Sequence, residues 1–79
     1  MAMSISELYG KKIISNEGGM LGEVKGVMFN FDEGAVSHLL LGNVHELLKS
    51  SDPRREIQKN SIAYKRVKHV GETIIVGKA

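Results

Sequence analysis

Histidine is the side chain best suited to metal ligation and to acid–base work near neutral pH, and this chain has three, His38, His45 and His69. They are spaced by seven and 24 residues, neither a helical ligand spacing, and Asp32 and Glu33 fall in an expected exposed turn. They therefore read as one strand histidine and two surface ones. No nucleophile has a plausible base beside it in sequence, and a carboxylate pair placed for hydrolysis is missing. The chain has no cysteine, so neither a disulfide nor a thiolate zinc site is open to it. Gly18-Gly19, Gly22 and Gly26 superficially suggest a phosphate loop. Neither the Walker pattern nor the dinucleotide fingerprint is present, and no long helix follows to offer its N-terminus. Turn and bulge chemistry accounts for these glycines. The expectation is a protein without catalytic residues, metal or cofactor.

Charge offers more. From Lys49 to His69 there are seven Lys/Arg (Lys49, Arg54, Arg55, Lys59, Lys65, Arg66, Lys68) against Asp52 and Glu56, a local balance of +5, while the remainder carries −3. The molecule is dipolar, acidic in its first half and basic in its second. Arg54, Arg55, Lys65, Arg66, Lys68 and His69 are expected to form one positive face. Binders of single-stranded nucleic acid add exposed aromatic platforms to such a face. Of the four aromatics here, Phe29 and Phe31 read as core, leaving Tyr9 and Tyr64. A solvated face or an acidic protein partner fits this composition better than RNA. Leucines add a second kind of surface. Leu39-Leu40-Leu41 together with Leu47-Leu48 exceed what one small barrel interior absorbs, so Leu47-Leu48 is either a satellite core plug or part of a dimer interface.

The elements that position these residues are short. Ser4-Ile5-Ser6-Glu7 has capping-box spacing, which predicts a helical turn ended by Gly10. A strand follows over KKIISN, then a hairpin turn at Glu17-Gly18-Gly19. In MLGEVKGVMFNFDEG, Val27, Phe29 and Phe31 share one face at period two, and Val24 has the opposite parity. If all four point inward, one residue near Lys25-Gly26 is extra, as in a β-bulge that bends the strand. Asp32-Glu33-Gly34 predicts a second hairpin turn and AVSHLLLG a strand covered on both faces near Leu39-Leu40-Leu41. HELLKSSDP holds one or two helical turns, and strand-like material resumes around REIQKNSI. Ala63–Val67 reads as a tight turn or a single helical turn, and Ile74-Ile75-Val76 as the last strand. Short strands with turns at close intervals argue a small barrel or half-barrel.

The 79 residues are 42% apolar and 25% charged, which suits one globular domain spanning residues 1–79. A domain this short buries only about 60% of the surface its unfolded chain exposes, so self-association is expected from size alone. No apolar run approaches the roughly 20 residues that span a bilayer. MAMSISELYG lacks the basic and apolar regions of a secretion signal. A cytoplasmic protein without membrane insertion is expected.

These residues resemble the PRC-barrel family, and in particular its small stand-alone archaeal members. LYGKKIISNEGGMLGEVKGVMFNFDEG is similar to the family's opening, with Leu8, Gly10 and Lys11 before the first strand, then Gly22-x-Val24-x-x-Val27-x-Phe29. IAYKRVKHVGETIIV is similar to its closing motif, except that Ala63 stands where the family commonly has proline, which bears on the rigidity of that turn. The resemblance implies an all-β fold, a barrel of about six short strands with one or two short helical turns. Family members include the cytoplasmic domain of a photosynthetic reaction-centre subunit and the C-terminal domain of a ribosome-maturation factor, and some archaeal members act in cell division. What they share is docking onto other macromolecules. The expectation here is a non-catalytic adaptor, a homodimer in a cytoplasmic assembly such as the division machinery, with other proteins as partners. Its expected interaction surface is Leu47, Leu48, Arg54, Arg55, Lys65, Arg66 and Lys68. The alternative is an RNA- or ribosome-associated adaptor using the basic half.

Overall fold

Ile13 and Ile14, adjacent and β-branched, favour the pleated backbone, and they lie in the first strand, β1 (Lys12–Ser15). The computed structural model describes residues 5–78; Ser4 of the expected capping box lies outside them. Ile5–Glu7 forms one 3₁₀ turn, and Gly10 leaves it at φ +80°, a conformation that glycine adopts without a Cβ penalty. The turn after β1 contains Gly18 at φ +93° and is held by the Ser15 hydroxyl, which accepts from the amides of Glu17 and Gly19. β2 (Met20–Glu23) returns antiparallel to β1.

β2 and β3 (Gly26–Asn30) belong to different sheets, a correction to the single bent strand expected there. The change takes one residue step. Val24 is still bonded to the first sheet's side, donating to the Lys11 carbonyl and accepting from the Gly10 amide, whereas the Lys25 amide donates to Leu40 in the second. Gly26 is the register partner of that same Leu40, so Lys25 and Gly26 together oppose one residue, an irregularity at the expected place. Val24 is buried as expected, and Val27 packs against the core. The two phenylalanines do not follow. Phe29 is half-buried and outside the core cluster, and Phe31 is 87% exposed. The cause is the hairpin. Asn30 ends β3, and its side-chain carbonyl accepts from the amides of Asp32 and Glu33, so the chain turns where Phe31 would have continued the strand.

β4 (Ala35–Leu40) runs back along β3, and Leu39 and Leu40 are both buried, as the apolar run predicts. Two short helices follow, α1 (Val44–Leu48) and α2 (Pro53–Lys59). α2 corrects the strand expected over REIQKNSI. Asp52 caps it by accepting from the Arg55 amide, Pro53 opens the first turn with a φ suited to a helix, and Arg, Glu, Gln and Lys are good helix formers. Only β5 (Ser61–Ala63) of that segment is strand. Tyr64–Arg66 is a 3₁₀ turn, and β6 (Val67–Val70) and β7 (Ile74–Val76) complete the chain.

Among the described residues the fold is all-β in class, with seven short strands where about six were expected, divided between two sheets and not joined in one closed ring. One sheet has the order β2-β1-β7-β6, with β1 and β7 parallel at its centre, and the other has β3-β4-β5. The core comprises Leu8, Ile13, Val24, Leu39, Ile62, Ile74 and Val76, contributed by both sheets and the N-terminal turn.

A candidate docking face

Directly paired residues of antiparallel strands share a face. Leu39 and its partners Val27 and Ile62 therefore line the core side of the three-stranded sheet, while Met28, His38 and Ala63 occupy the opposite, outer side. α2 approaches this outer side. Its residues Arg54, Ile57 and Gln58 follow the i, i+3, i+4 spacing of one helical face. With Met28, His38 and Ser61 they line a groove of about 480 Å³. A second hollow of about 550 Å³ is lined by Glu33, Val36, Ser37, His38, Ala63, Tyr64 and Lys65. His38 belongs to both. The two hollows meet at His38: Met28 and Ile57 give the first its apolar floor with Arg54 at its side, and the second holds Lys65 together with Glu33. Neither cation has a carboxylate partner; the ion pair found among the described residues links Lys59 to Glu56.

Ser37 and His38 make a contact that sequence reasoning missed, since neighbours in a regular strand point to opposite faces. The register shift between Met28 and Phe29 leaves Ser37 as the extra residue of β4, and its Oγ lies 3.1 Å from His38 Nδ1. The hydroxyl donates its one hydrogen to the Met28 carbonyl at 3.2 Å. When the hydroxyl donates to Met28, the imidazole Nδ1–H donates to Ser37 and Nε2 of a neutral ring is the acceptor. The pair orients His38 in the groove.

The expected positive face is divided. Arg54 and Lys65 share the outer side of the three-stranded sheet, and Arg55, exposed on α2, lies outside the groove lining. Arg66 is committed to structure. Its Nε donates to the Gly77 carbonyl at 2.8 Å, and the Gly77 amide donates to the Arg66 carbonyl at 2.8 Å. Lys68 belongs to β6 of the other sheet and lays its stem over Gly77, where an added Cβ would meet its Cε at 2.6 Å. His69 is likewise on β6, and its ring sits beside Gly71. A continuous basic stretch is thereby shared between two sheets, because a chain reversal separates Arg54 from Lys68. Leu47 and Leu48 also part. Leu47 is 8% exposed, with its methyl groups against Gly42, and is the satellite plug; Leu48 is 57% exposed.

Among the described residues no three His, Asp or Glu side chains gather as metal ligands, and no helix is long and apolar enough to cross a membrane. No curated protein matches the chain. The sequence pattern of the PRC-barrel domain matches residues 1–76 of the 79. Both end motifs and the stretch between His45 and Lys59, where the resemblance is weakest, lie inside that match, and the chain belongs to the PRC-barrel domain family.

Proposed function

We propose that this domain is a non-catalytic adaptor that acts as a homodimer in a cytoplasmic assembly such as the cell-division machinery, and that it holds a protein partner on the outer face of the β3-β4-β5 sheet. One observation carries the choice of face: two hollows meeting at His38, the first with Met28 and Ile57 as its apolar floor, and the cations Arg54 and Lys65 beside them without ion-pair partners among the described residues. Such a surface suits a segment that presents carboxylates beside an apolar side chain. Apolar anchors in desolvated hollows supply affinity, and charge at the rim supplies orientation and encounter rate. Membership of the PRC-barrel domain family supports the adaptor role, and the likeness of the two end motifs to those of archaeal members is the ground for the division assembly. The small core supports self-association.

The second reading, an RNA- or ribosome-associated adaptor, draws on the +5 balance between Lys49 and His69. The division of that stretch between two sheets weakens it, and Tyr64 packs against the core, leaving few stacking platforms. With Arg54 and Lys65 as the phosphate contacts of the groove, log affinity for single strands should fall against log salt with a slope of only about −1.4.

Capture from extract of the native cell by tagged protein, with and without nuclease, separates the readings. Protein partners should survive nuclease and be lost from an Arg54→Glu/Lys65→Glu variant. Loss on nuclease treatment would favour RNA, and undiminished capture by the variant would reject this face.

A further inference from the structure

Charge is unevenly spread over the two hollows that meet at His38. The second brings Lys65 and Glu33 together, so it offers both signs to anything that enters. The first has Arg54 as its one permanent charge, Gln58 and Ser61 as further hydrogen-bonding groups, and Met28 and Ile57 as apolar surface. Arg54 is exposed on α2 and has no ion-pair partner among the described residues. A hollow of this make-up is complementary to one negative charge beside one apolar side chain. His38, half-buried, lines both hollows, and its Nδ1 is engaged by Ser37 Oγ on its own strand. Nε2 has no partner among the described residues, so it is the ring nitrogen that an incoming group can engage. Protonation settles the bonding of the ring. A neutral imidazole has one donor and one acceptor and can pair with the Ser37 hydroxyl in either direction, whereas an imidazolium has two donors. With the ring charged, Nδ1–H donates to Ser37 Oγ, the hydroxyl hydrogen goes to the Met28 carbonyl, and Nε2–H becomes a charged donor.

We infer that the first hollow takes an acidic side chain of the protein partner between Arg54 and His38, and that His38 takes up a proton as this carboxylate binds. This rests on the docking face proposed above and specifies what it selects and how pH regulates it. The carboxylate accepts from the guanidinium and from Nε2–H, while an apolar neighbour in the partner's chain lies on Met28 and Ile57. The groups around the ring set the balance. Arg54 from α2 and Lys65 from the Tyr64–Arg66 turn oppose a proton on His38, Glu33 from the β3-β4 turn favours one, and Ser37 and Tyr64 complete the polar lining. A bound carboxylate adds a second negative charge and moves that balance toward the charged ring. Binding and protonation are then linked, and affinity rises as pH falls through the range in which histidine titrates. A hold by Arg54 alone stays constant over that range, since a guanidinium is charged throughout.

The probe is a blocked pentapeptide alternating glutamate and leucine, titrated into the isotope-labelled full chain and followed by NMR. Its affinity should be about fivefold higher near pH 5.5 than near pH 7.5, the scale of one exposed charge pair. Glutamate stays largely ionised over that interval, so the change reports on the protein. The same peptide with glutamine in place of glutamate should bind more weakly, and equally at both. His38→Gln should keep the weaker hold seen near pH 7.5 and lose the increase, although His45 and His69 are still present in that variant. Wild type gives a measurement that needs no substitution: saturating peptide should move the titration midpoint of the His38 ring to higher pH and leave those of His45 and His69 in place. Binding that is equal at the two pH values and lost in Arg54→Glu overturns the role of His38 and leaves the docking face standing. An increase at low pH that persists in His38→Gln overturns that role as well. Absence of binding at both pH values overturns the proton uptake and the docking face together.

Discussion

Ser37 has one proton, and its destination decides what His38 can do. With that proton directed to the Met28 carbonyl, the neighbouring imidazole is the donor of the pair; with it directed to the imidazole, Nδ1 is the acceptor. Similar commitments sort the basic residues, which in sequence look alike. Arg66 is bonded to the Gly77 carbonyl, so Arg66→Ala should cost about 1–2 kcal/mol in urea denaturation, the range for losing a partly buried bond from a charged donor. Arg54→Ala and Lys65→Ala should remain within about 0.5 kcal/mol of wild type, as surface substitutions usually do. Gly26 makes a further demand. A Cβ there would stand 3.0 Å from Val44 Cγ2 and 3.4 Å from Leu40 Cδ1, so Gly26→Val should cost about 1–3 kcal/mol by overpacking. Equal melting temperatures for Gly26→Val and wild type would reject the packing of α1 over that strand. None of these distinctions is legible in residue type alone, since each depends on which carbonyl or methyl group the folded chain brings alongside.

At the level of elements, turns were more legible than strand ends. Gly18 and Gly34 have positive φ at the two expected hairpins, and Ile74–Val76 is the expected last strand. REIQKNSI has Ile at spacings tolerable to a strand, a pattern that conceals α2, whose Asp52 cap and Pro53 in the first turn favour a helix. The cap supplies a direct check: Asp52→Ala should destabilise the fold by about 1 kcal/mol and lower helical ellipticity. A strand there would leave the ellipticity unchanged. Phe31 was misplaced for a related reason. Period-two alternation identifies which side a residue faces, but not where the strand stops, and the Asn30 side chain stops it one residue earlier. The α1 leucines, undecided in sequence, separate by exposure. Leu47→Ala should cost about 2 kcal/mol or more, and Leu48→Ala little in monomer stability, both measured by thermal melts.

Over the whole molecule, the paired end motifs were readable because each is local, and the family match over residues 1–76 contains both. How they meet was not. Ile13 pairs with Ile74 and Ser15 with Val76 in a parallel ladder at the centre of the four-stranded sheet, and hydrophobic pattern does not name a partner so distant. A chain ended at Gly71 lacks β7, whose Ile74 and Val76 are fully buried, and should show no cooperative melt by circular dichroism. This ladder also sets the order of events during synthesis. β3 and β4 lie next to each other in sequence and can pair as soon as they emerge, but β1 waits for a strand made more than three-quarters of the chain later. Until residues 74–76 have cleared the ribosome, Ile13 lacks the cover that Ile74 and Val76 give the core. Long-range pairing of this kind is slow relative to local contacts and lengthens exposure to aggregation.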